Sequence, residues 1–401
     1  MEQGALAFVL VAGLPAVTGT ANLENEAERQ LFETITASYM PLLEVMEDLA
    51  SERIPLPVGI ALQPRLLQEL NRPCFAEKYE TYLENCIAEA GTAIEQCSPG
   101  LEQEQQLRRL DQLLHCLNRF GSDYGGRLIQ GITRLAGRGR IELLTAAESS
   151  PEGMGLLADD VEQGLRMHTS LTGEAPRGIW LPESGTGRGP LAGAGQLQRL
   201  RGLGLEYAVT GSLGGEENRY PLLRHSAGQG ASLAGAQDFP LGATTKGIKV
   251  HRSDAAASRL PVHLPGKTSS ASALPRAEAE AWLDRRSLPL ETDLDERSHH
   301  RRRYASFPAA SPWEESAWAR NRAFYLAEGY IRERQAQLGR FRGMLRPPFL
   351  LAAFEASVLG GCWLEGPVWF GAVLRYAAEL LRDSGRAACQ GMQEAAAGSV
   401  N

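Results

Sequence analysis

Short apolar runs alternate with helical patterns along this chain, and that alternation limits the fold more than any other feature. The first run, LAFVLVA at 6–12, is continuously apolar, which is typical of a parallel strand covered on both faces. Strand followed by helix, repeated, predicts an α/β fold with a parallel sheet. The later predicted strands are 57–62, 141–147, 178–183, 205–211, 247–252 and 347–355. The predicted helices are 24–51, 66–120 with a break at 98–100, 159–171, 195–203, 315–338 and 367–383.

The region 211–312 departs from this pattern. Gly, Ala, Ser, Pro and mixed charges dominate it, and only GIKVHR at 247–252 predicts a strand. A segment of this length and composition is typical of a poorly structured insertion. We therefore expect a barrel-type domain over residues 1–365 that carries this insertion, followed by a short helical C-terminal segment over 366–401.

Charge and cysteine content indicate which classes of partner the protein is not expected to bind. The chain has 41 basic and 48 acidic residues, and its net charge of −7 gives no overall attraction to nucleic acid or to an anionic membrane. HHRRR at 299–303 is interpreted as a solvated loop. The six cysteines are scattered without a CxxC pair, so we expect reduced thiols, no metal site and no cofactor. The sequence does not specify an oligomeric state.

The apolar run near the N-terminus has the composition of a signal-peptide core, but only Glu2 among the preceding residues carries a side-chain charge, and it is acidic. A signal peptide needs a basic segment there, so the run is interpreted as a strand. No apolar segment approaches the roughly 20 residues that span a bilayer. We expect a cytoplasmic protein that does not associate with membranes.

Two of the predicted strands end in a carboxylate, GIWLPE at Glu183 and PPFLLAAFE at Glu355. In parallel α/β sheets the carboxyl ends of the strands carry the functional loops, so both acids are expected at one edge. A retaining glycosidase needs such a pair about 5 to 5.5 Å apart, because one acid attacks the anomeric carbon while the other protonates the leaving oxygen. Acids at strand ends that cap helices or bind loop amides are the alternative at this stage.

Four blocks match the motifs of one enzyme family. FVLVAGLPAV at 8–17 is similar to F-V-L-H-A-H-L-P-Y-V, and LFETITASYMPLL at 31–43 to L-F-E-A-I-T-E-T-Y-x-P-L-L. GIWLPES at 178–184 is similar to G-I-W-L-P-E-C, and the block at 354–369 to F-D-A-E-L-F-G-H-W-W-F-E-G-P-x-W. In this order the blocks resemble glycoside hydrolase family 57, and within it the α-1,4-glucan branching enzymes. The resemblance implies a distorted (β/α)7 barrel and an α-glucan partner such as glycogen or a starch-like polysaccharide.

The resemblance also implies roles for individual residues. Glu183 stands at the position of the nucleophile, and Glu355 stands at the acid/base position, where the family has Asp. The carboxyl group at 355 is therefore one methylene further from the backbone, and a displacement of about 1 Å can lower a rate roughly a hundredfold. Three residues of the last block match family positions and are expected at the substrate, namely Trp363, Glu365 and Trp369.

The chain lacks the histidines of the family motifs. The positions of the lost polar side chains are occupied by Val11, Gly13, Ser149 or Ser150, the TGSL run at 210–213, Ser357 and Gly361. In the family such groups line the pocket around the reacting sugar. Each donor lost near a developing charge commonly costs a few kcal/mol, so the resemblance implies an impaired pocket.

Two functions remain open at this stage. The first is branching-enzyme-type chemistry on α-1,4-glucan, in which a chain is cleaved through a covalent intermediate on Glu183 and transferred. The alternative is a non-catalytic pseudoenzyme that binds glucan or a partner protein in the same cleft. A polysaccharide deacetylase on a related barrel needs an Asp/His/His metal set, and the missing histidines argue against it.

Overall fold

The computed structural model describes residues 5–15, 23–97, 100–147, 158–182, 199–211, 249–254, 257–261, 317–340 and 349–383. The strands in this part of the chain are β1 (Ala5–Ala12), β2 (Val58–Leu62), β3 (Glu142–Ala146), β4 (Gly178–Pro182), β5 (Tyr207–Gly211), β6 (Lys249–Arg252) and β7 (Phe349–Glu355). The helices are α1 (Leu23–Thr34), α2 (Met40–Ser51), α3 (Pro64–Leu70), α4 (Phe75–Gln96), α5 (Leu101–Asn118), α6 (Leu128–Gly137), α7 (Ala158–Thr172), α8 (Ala317–Gly339) and α9 (Gly366–Asp383). Among these helices none is long and apolar enough to cross a membrane.

The strands form one seven-stranded parallel sheet in the order β6-β5-β4-β3-β2-β1-β7. Strand β1 lies between β2 and β7, and Val11 pairs with Ala61 on one side and with Glu355 on the other. Helices separate most of the strands, as the connection of parallel strands requires. The α/β class and the distorted (β/α)7 barrel that the sequence predicts are therefore confirmed.

The two faces of the sheet bury different side chains. Val9, Trp180 and Leu351 belong to a cluster of buried residues inside the barrel. Phe8 and Phe354 belong to the larger cluster between the sheet and its helices. Because side chains alternate along a strand, residues 351, 353 and 355 share one face, so Glu355 is directed to the inside of the barrel at the end of β7.

The two edge strands are joined by the segment that follows β6. The backbone N–H of Asp254 donates to the carbonyl oxygen of Leu351 at 2.8 Å, and the N–H of Ala353 donates to the Ser258 hydroxyl at 3.0 Å. Tyr330 of α8 donates its hydroxyl to the carbonyl oxygen of Ala257 at 2.6 Å, which fixes the segment from outside. Asp254 and Ser258 therefore connect β6 to β7 where the described residues show no direct ladder between the two strands.

The observed strands agree with the predicted ones within two residues at each end, whereas the helical region predicted at 66–120 is divided into α3, α4 and α5, and α6 was not predicted. The predicted helix at 24–51 contains a π-helical turn at Ile35–Tyr39, which separates α1 from α2. The predicted insertion at 211–312 falls largely outside the described residues, apart from β6 and the segment that follows it. Division of the chain at residue 365 stays a prediction. The described part of the C-terminal segment, α9, packs on the barrel, with the Phe370 ring 5.7 Å from that of Phe8.

His168 is buried on α7 with 1% of its surface exposed. Its Nδ1 atom lies 3.2 Å from the Thr172 hydroxyl, and its Nε2 atom is enclosed with no hydrogen-bond partner in the described part of the chain. Burial lowers the pKa of His168 from 6.5 to about 4, because a charged imidazolium would lose its hydration. The histidine is therefore neutral in the folded protein at neutral pH.

This lowered pKa predicts a loss of stability in acid. The unfolded chain binds the proton near pH 6.5 and the folded chain only near pH 4, so stability is complete above pH 6.5 and falls as the pH decreases toward 4. We expect the wild type to lose about 3 kcal/mol more free energy of unfolding between pH 7 and pH 4 than a His168→Leu variant. Urea unfolding at several pH values measures this difference. Parallel pH profiles for the two proteins would contradict the assignment.

Candidate functional site

Glu355 defines one side of a candidate site at the carboxyl edge of the barrel. It is the last residue of β7, is half-buried, and is directed inward. The Ser357 hydroxyl donates a hydrogen bond of 2.8 Å to its Oε1 atom. This bond restricts the rotation of the carboxylate, as a group that exchanges a proton with a substrate requires.

Strand β4 ends at the same edge of the sheet because all the strands are parallel. Its last residue, Pro182, directly precedes Glu183, which lies outside the described residues. The nucleophile position of Glu183 therefore stays a prediction. Strands β3, β2 and β1 separate β4 from β7, so the ends of β4 and β7 lie on different walls of the barrel.

Tyr39 holds the loop that follows β1. Its hydroxyl donates to the carbonyl oxygen of Gly13 at 2.6 Å and accepts a hydrogen bond from the N–H of the same residue at 3.2 Å. Burial raises the pKa of Tyr39 above its usual range, and the negative charge of Glu355 raises it further. The phenol thus stays neutral and remains a hydrogen-bond donor beside the carboxylate.

Gln63 occupies the space next to Gly13. It follows β2 directly, and its Oε1 atom accepts a hydrogen bond of 3.2 Å from the N–H of Leu14. A Cβ atom added to Gly13 would lie 2.1 Å from Oε1 and 2.7 Å from Nε2 of Gln63. The Gln63 amide therefore stands where a side chain at position 13 would begin.

The chain turns sharply after Glu355 and packs against the π-helical turn. The Ser38 hydroxyl donates to the carbonyl oxygen of Ala356, and the N–H of Gly360 donates to the carbonyl oxygen of Trp363 at 2.7 Å. Gly360 has a φ of +114°, and a Cβ atom there would lie 1.9 Å from the carbonyl oxygen of Ala37. At Gly361 a Cβ atom would meet nothing within 4 Å. This turn fixes the backbone around Ser357.

The two tryptophans of the last block lie in the core. Trp363 is 4% exposed and Trp369 is 0% exposed, and their ring centroids are 5.1 Å apart. Trp369 also packs edge-on against Tyr330 at 5.3 Å. Both rings are enclosed in this structure, and their expected contact with substrate stays a prediction. The rings stabilise the junction between β7, α8 and α9.

Glu365 is half-buried at the turn before α9, and its carbonyl oxygen accepts a hydrogen bond of 2.8 Å from the N–H of Trp369. Its expected contact with substrate stays a prediction. Of the positions where the motifs have lost polar groups, Val11 is buried inside the barrel, and Ser149 and Ser150 lie outside the described residues. Within the described ranges no group of three or more His, Cys, Asp or Glu side chains is arranged to hold a metal ion.

Tyr39 and Gln63 are site residues that the motif comparison did not single out. Tyr39 lies inside a matched block, but the contact that matters joins it to Gly13, which is distant in sequence. Gln63 directly follows a predicted strand, and residues in that position often line the site of a parallel α/β protein. That rule would have identified Gln63 from the sequence.

Comparison with known proteins gives weak but consistent similarity. No family model matches the chain. The 1,4-alpha-glucan branching enzyme of Thermococcus kodakarensis is 25% identical over 195 residues, which are 45% of this chain and 27% of that enzyme. A probable 1,4-alpha-glucan branching enzyme of Mycobacterium tuberculosis is 23% identical over 369 residues, which are 87% of this chain and 63% of that protein. The chain thus spans less than two thirds of the length of these curated relatives.

Solved structures share the fold. The alpha-amylase AmyC of Thermotoga maritima superposes with a TM-score of 0.62 at 18% identity and covers 94% of this chain and 72% of its own. A family 57 branching enzyme of Pyrococcus horikoshii superposes with a TM-score of 0.61 at 17% identity and covers 96% of this chain and 68% of its own. The predicted resemblance to family 57 branching enzymes is confirmed as a likeness in sequence and in fold.

Proposed function

We propose that this chain binds α-1,4-glucan at the carboxyl edge of its barrel and catalyses retaining glycosyl transfer there at a reduced rate. The observation that carries the proposal is the carboxylate of Glu355. It stands at the end of β7, is directed into the barrel, and is held by Ser357 at 2.8 Å. The likeness to branching enzymes supplies the substrate class.

In the proposed reaction Glu355 protonates the leaving glycosidic oxygen, and Glu183 attacks the anomeric carbon to form a glycosyl-enzyme ester. Glu355 then removes the proton from the acceptor hydroxyl, which displaces Glu183 and forms the new bond. Water as the acceptor gives hydrolysis instead. The proposal requires the two carboxyl groups to approach to about 5 Å. Leu181 packs on the outer face of β4, and in a regular strand the side chain two positions later would face the same way. The proposal therefore also requires the backbone to depart from this alternation after Pro182, so that Glu183 reaches the rim.

The reduced rate follows from the chemistry of the pocket. Position 11 offers an apolar valine inside the barrel, and Gly361 contributes no side chain. Imidazole donors at such positions would stabilise the charged transition state, and their loss commonly costs 2 to 4 kcal/mol each by order of magnitude, though not additively. We expect transfer to be about 10² to 10⁴ times slower than in an intact pocket.

A non-catalytic glucan-binding protein is the second candidate. The specific observation in its favour is the position of the Gln63 amide, which fills the space beside Gly13 with a neutral group that cannot transfer protons. A cleft of this composition retains hydrogen-bond donors and acceptors for sugar hydroxyls. In the space beside Gly13, however, the cleft has an amide and no group that titrates near neutral pH.

The two candidates predict different results with amylose. We expect the purified chain to be retarded in a native gel that contains glycogen, and not in one that contains dextran, whose main linkage is α-1,6. On prolonged incubation with amylose, iodine absorbance is expected to fall slowly and branch points to increase without a matching increase in reducing ends. Retardation without any reaction would support the non-catalytic candidate. A mobility unaffected by glycogen and by amylopectin would contradict both.

A further inference from the structure

The Gln63 side chain lies on the inner rim of the barrel, close to the level of Glu355. Val11 pairs with Ala61 and with Glu355, so these three inward-facing residues lie at one level of the sheet. Gly13 and Gln63 come two residues later in their segments, and the N–H of Gln63 donates to the carbonyl oxygen of Ala12 at 3.0 Å, which continues the ladder. Adjacent parallel strands are about 4.8 Å apart, so one sugar ring can contact residues that follow β1, β2 and β7.

The hydrogen bond from Leu14 determines which end of the Gln63 amide faces the cleft. A backbone N–H can be accepted only by the amide oxygen, so Oε1 points to Leu14 and Nε2 points away from it. Nε2 has no hydrogen-bond acceptor among the described residues, and it is not one of their enclosed polar atoms. The Nε2 atom is therefore not fully enclosed, and it can donate a hydrogen bond to a ligand.

The loop around the amide is also fixed in place. Tyr39 binds both backbone groups of Gly13, and Gly13 leaves room for the amide because it has no Cβ atom. A donor held in this way loses little conformational entropy when it binds a hydroxyl. The arrangement has the properties of a preformed polar contact for a sugar.

We propose that Gln63 is a substrate-binding residue of this cleft, whose Nε2 atom donates a hydrogen bond to a hydroxyl of a glucosyl unit. The amide lies beside Gly13, the position at which the motif that this segment resembles has a histidine. The inference rests on the proposed function, since it takes α-glucan as the ligand. It assigns to the segment after β2 a sugar contact that the motif would place in the segment after β1. A purely structural role would need only the Oε1 contact to Leu14.

Substitution by glutamate separates these roles. Gln63→Glu keeps an oxygen that can accept from Leu14 and removes both N–H donors. We expect the Kd for maltoheptaose, measured by titration calorimetry, to rise about tenfold, as the loss of one hydrogen bond to a ligand implies. Gln68→Glu is the matched control, because Gln68 is exposed on the following helix and the substitution changes the net charge equally. Its Kd is expected to equal that of the wild type.

A second series avoids the added charge. Gln63→Met is uncharged and similar in length, and it should weaken binding like Gln63→Glu. Gly13→Ala should also weaken binding, because its Cβ atom displaces the Gln63 amide. In the Gln63→Met background, where no amide is left to displace, Gly13→Ala should not raise the Kd further. Circular dichroism and thermal unfolding establish that each variant is folded.

The outcomes separate the failure of this inference from the failure of the proposed function. If the wild type binds no maltoheptaose, glycogen or amylopectin, both are overturned. If the wild type binds and Gln63→Glu and Gln63→Met bind equally well, only the role of Gln63 is overturned. Additive effects of Gly13→Ala and Gln63→Met on binding would likewise contradict it.

Discussion

A Gly360→Ala variant is expected to lose about 4 kcal/mol of unfolding free energy, or to fail to fold. Two causes combine at this position. The backbone has a φ of +114°, which L residues with a Cβ atom rarely adopt, and the added carbon would lie 1.9 Å from the carbonyl oxygen of Ala37 and 2.9 Å from the Cα atom of Ser38. The overlapping atoms belong to backbone, so a change of rotamer cannot relieve the contact. Thermal and urea unfolding measure the loss.

Gly361→Ala is the matched control for this substitution. The neighbouring glycine has no positive φ, and a Cβ atom there would meet nothing within 4 Å. Replacing glycine at such a position commonly stabilises a protein by about 0.4 to 1 kcal/mol, because the unfolded chain loses conformational freedom. The two variants should therefore differ by about 4 to 5 kcal/mol. Equal stabilities would contradict the close approach of the turn to residues 37 and 38.

The second large effect is expected from the two carboxylates. Glu355→Gln should lower the rate of glucan transfer about 10³-fold, because an amide cannot donate the proton that the leaving oxygen needs. Glu183→Gln should lower it at least as much, since an amide does not form the covalent intermediate. Both substitutions preserve the size of the side chain and keep one oxygen that can accept a hydrogen bond. Binding of glycogen is therefore expected to stay close to that of the wild type, which separates catalysis from recognition.

Branch formation and iodine absorbance, followed in parallel for all variants, measure these rates. Glu379→Gln serves as the control, because Glu379 is exposed on α9 and the change in charge is the same. A Glu183→Gln protein as active as the wild type would rule out a nucleophilic role for this acid. A Glu355→Gln protein as active as the wild type would remove the acid/base assignment, even if Glu183 proved essential.

Long, regular patterns predicted most of the fold. Strands β1 and β7 are continuous apolar runs that only a strand covered on both faces explains, and both were predicted within two residues of their observed limits. The single helix predicted at 24–51 is one continuous helical path, but its central turn is π-helical. That turn depends on contacts with residues 356–360, which are distant in sequence. A periodic pattern carries no information about such contacts.

The candidate site was harder to predict than the fold. Placement of Glu355 at a strand end followed from the apolar run before it, and the structure bears out that placement. The motif match suggests that Trp369 contacts the substrate, because tryptophan rings can stack on sugars. The linear sequence does not show that Phe354 and Tyr330 pack around this ring and enclose it. The position of the Gln63 amide beside Gly13 is likewise a property of two segments brought together by the sheet.

The seam between β6 and β7 has a consequence for how this architecture tolerates change. Elsewhere in the described sheet neighbouring strands share regular ladders. Here the Asp254 backbone amide and the Ser258 hydroxyl form the hydrogen bonds to β7. Residues 212–248 and 262–316, which flank β6 and its following segment in the sequence, lie outside the described residues. In the described sheet β6 is an edge strand that pairs with β5, whereas β1 pairs with β2 on one side and with β7 on the other. We therefore expect changes of chain length next to β6 to disturb fewer strand pairings than changes next to β1.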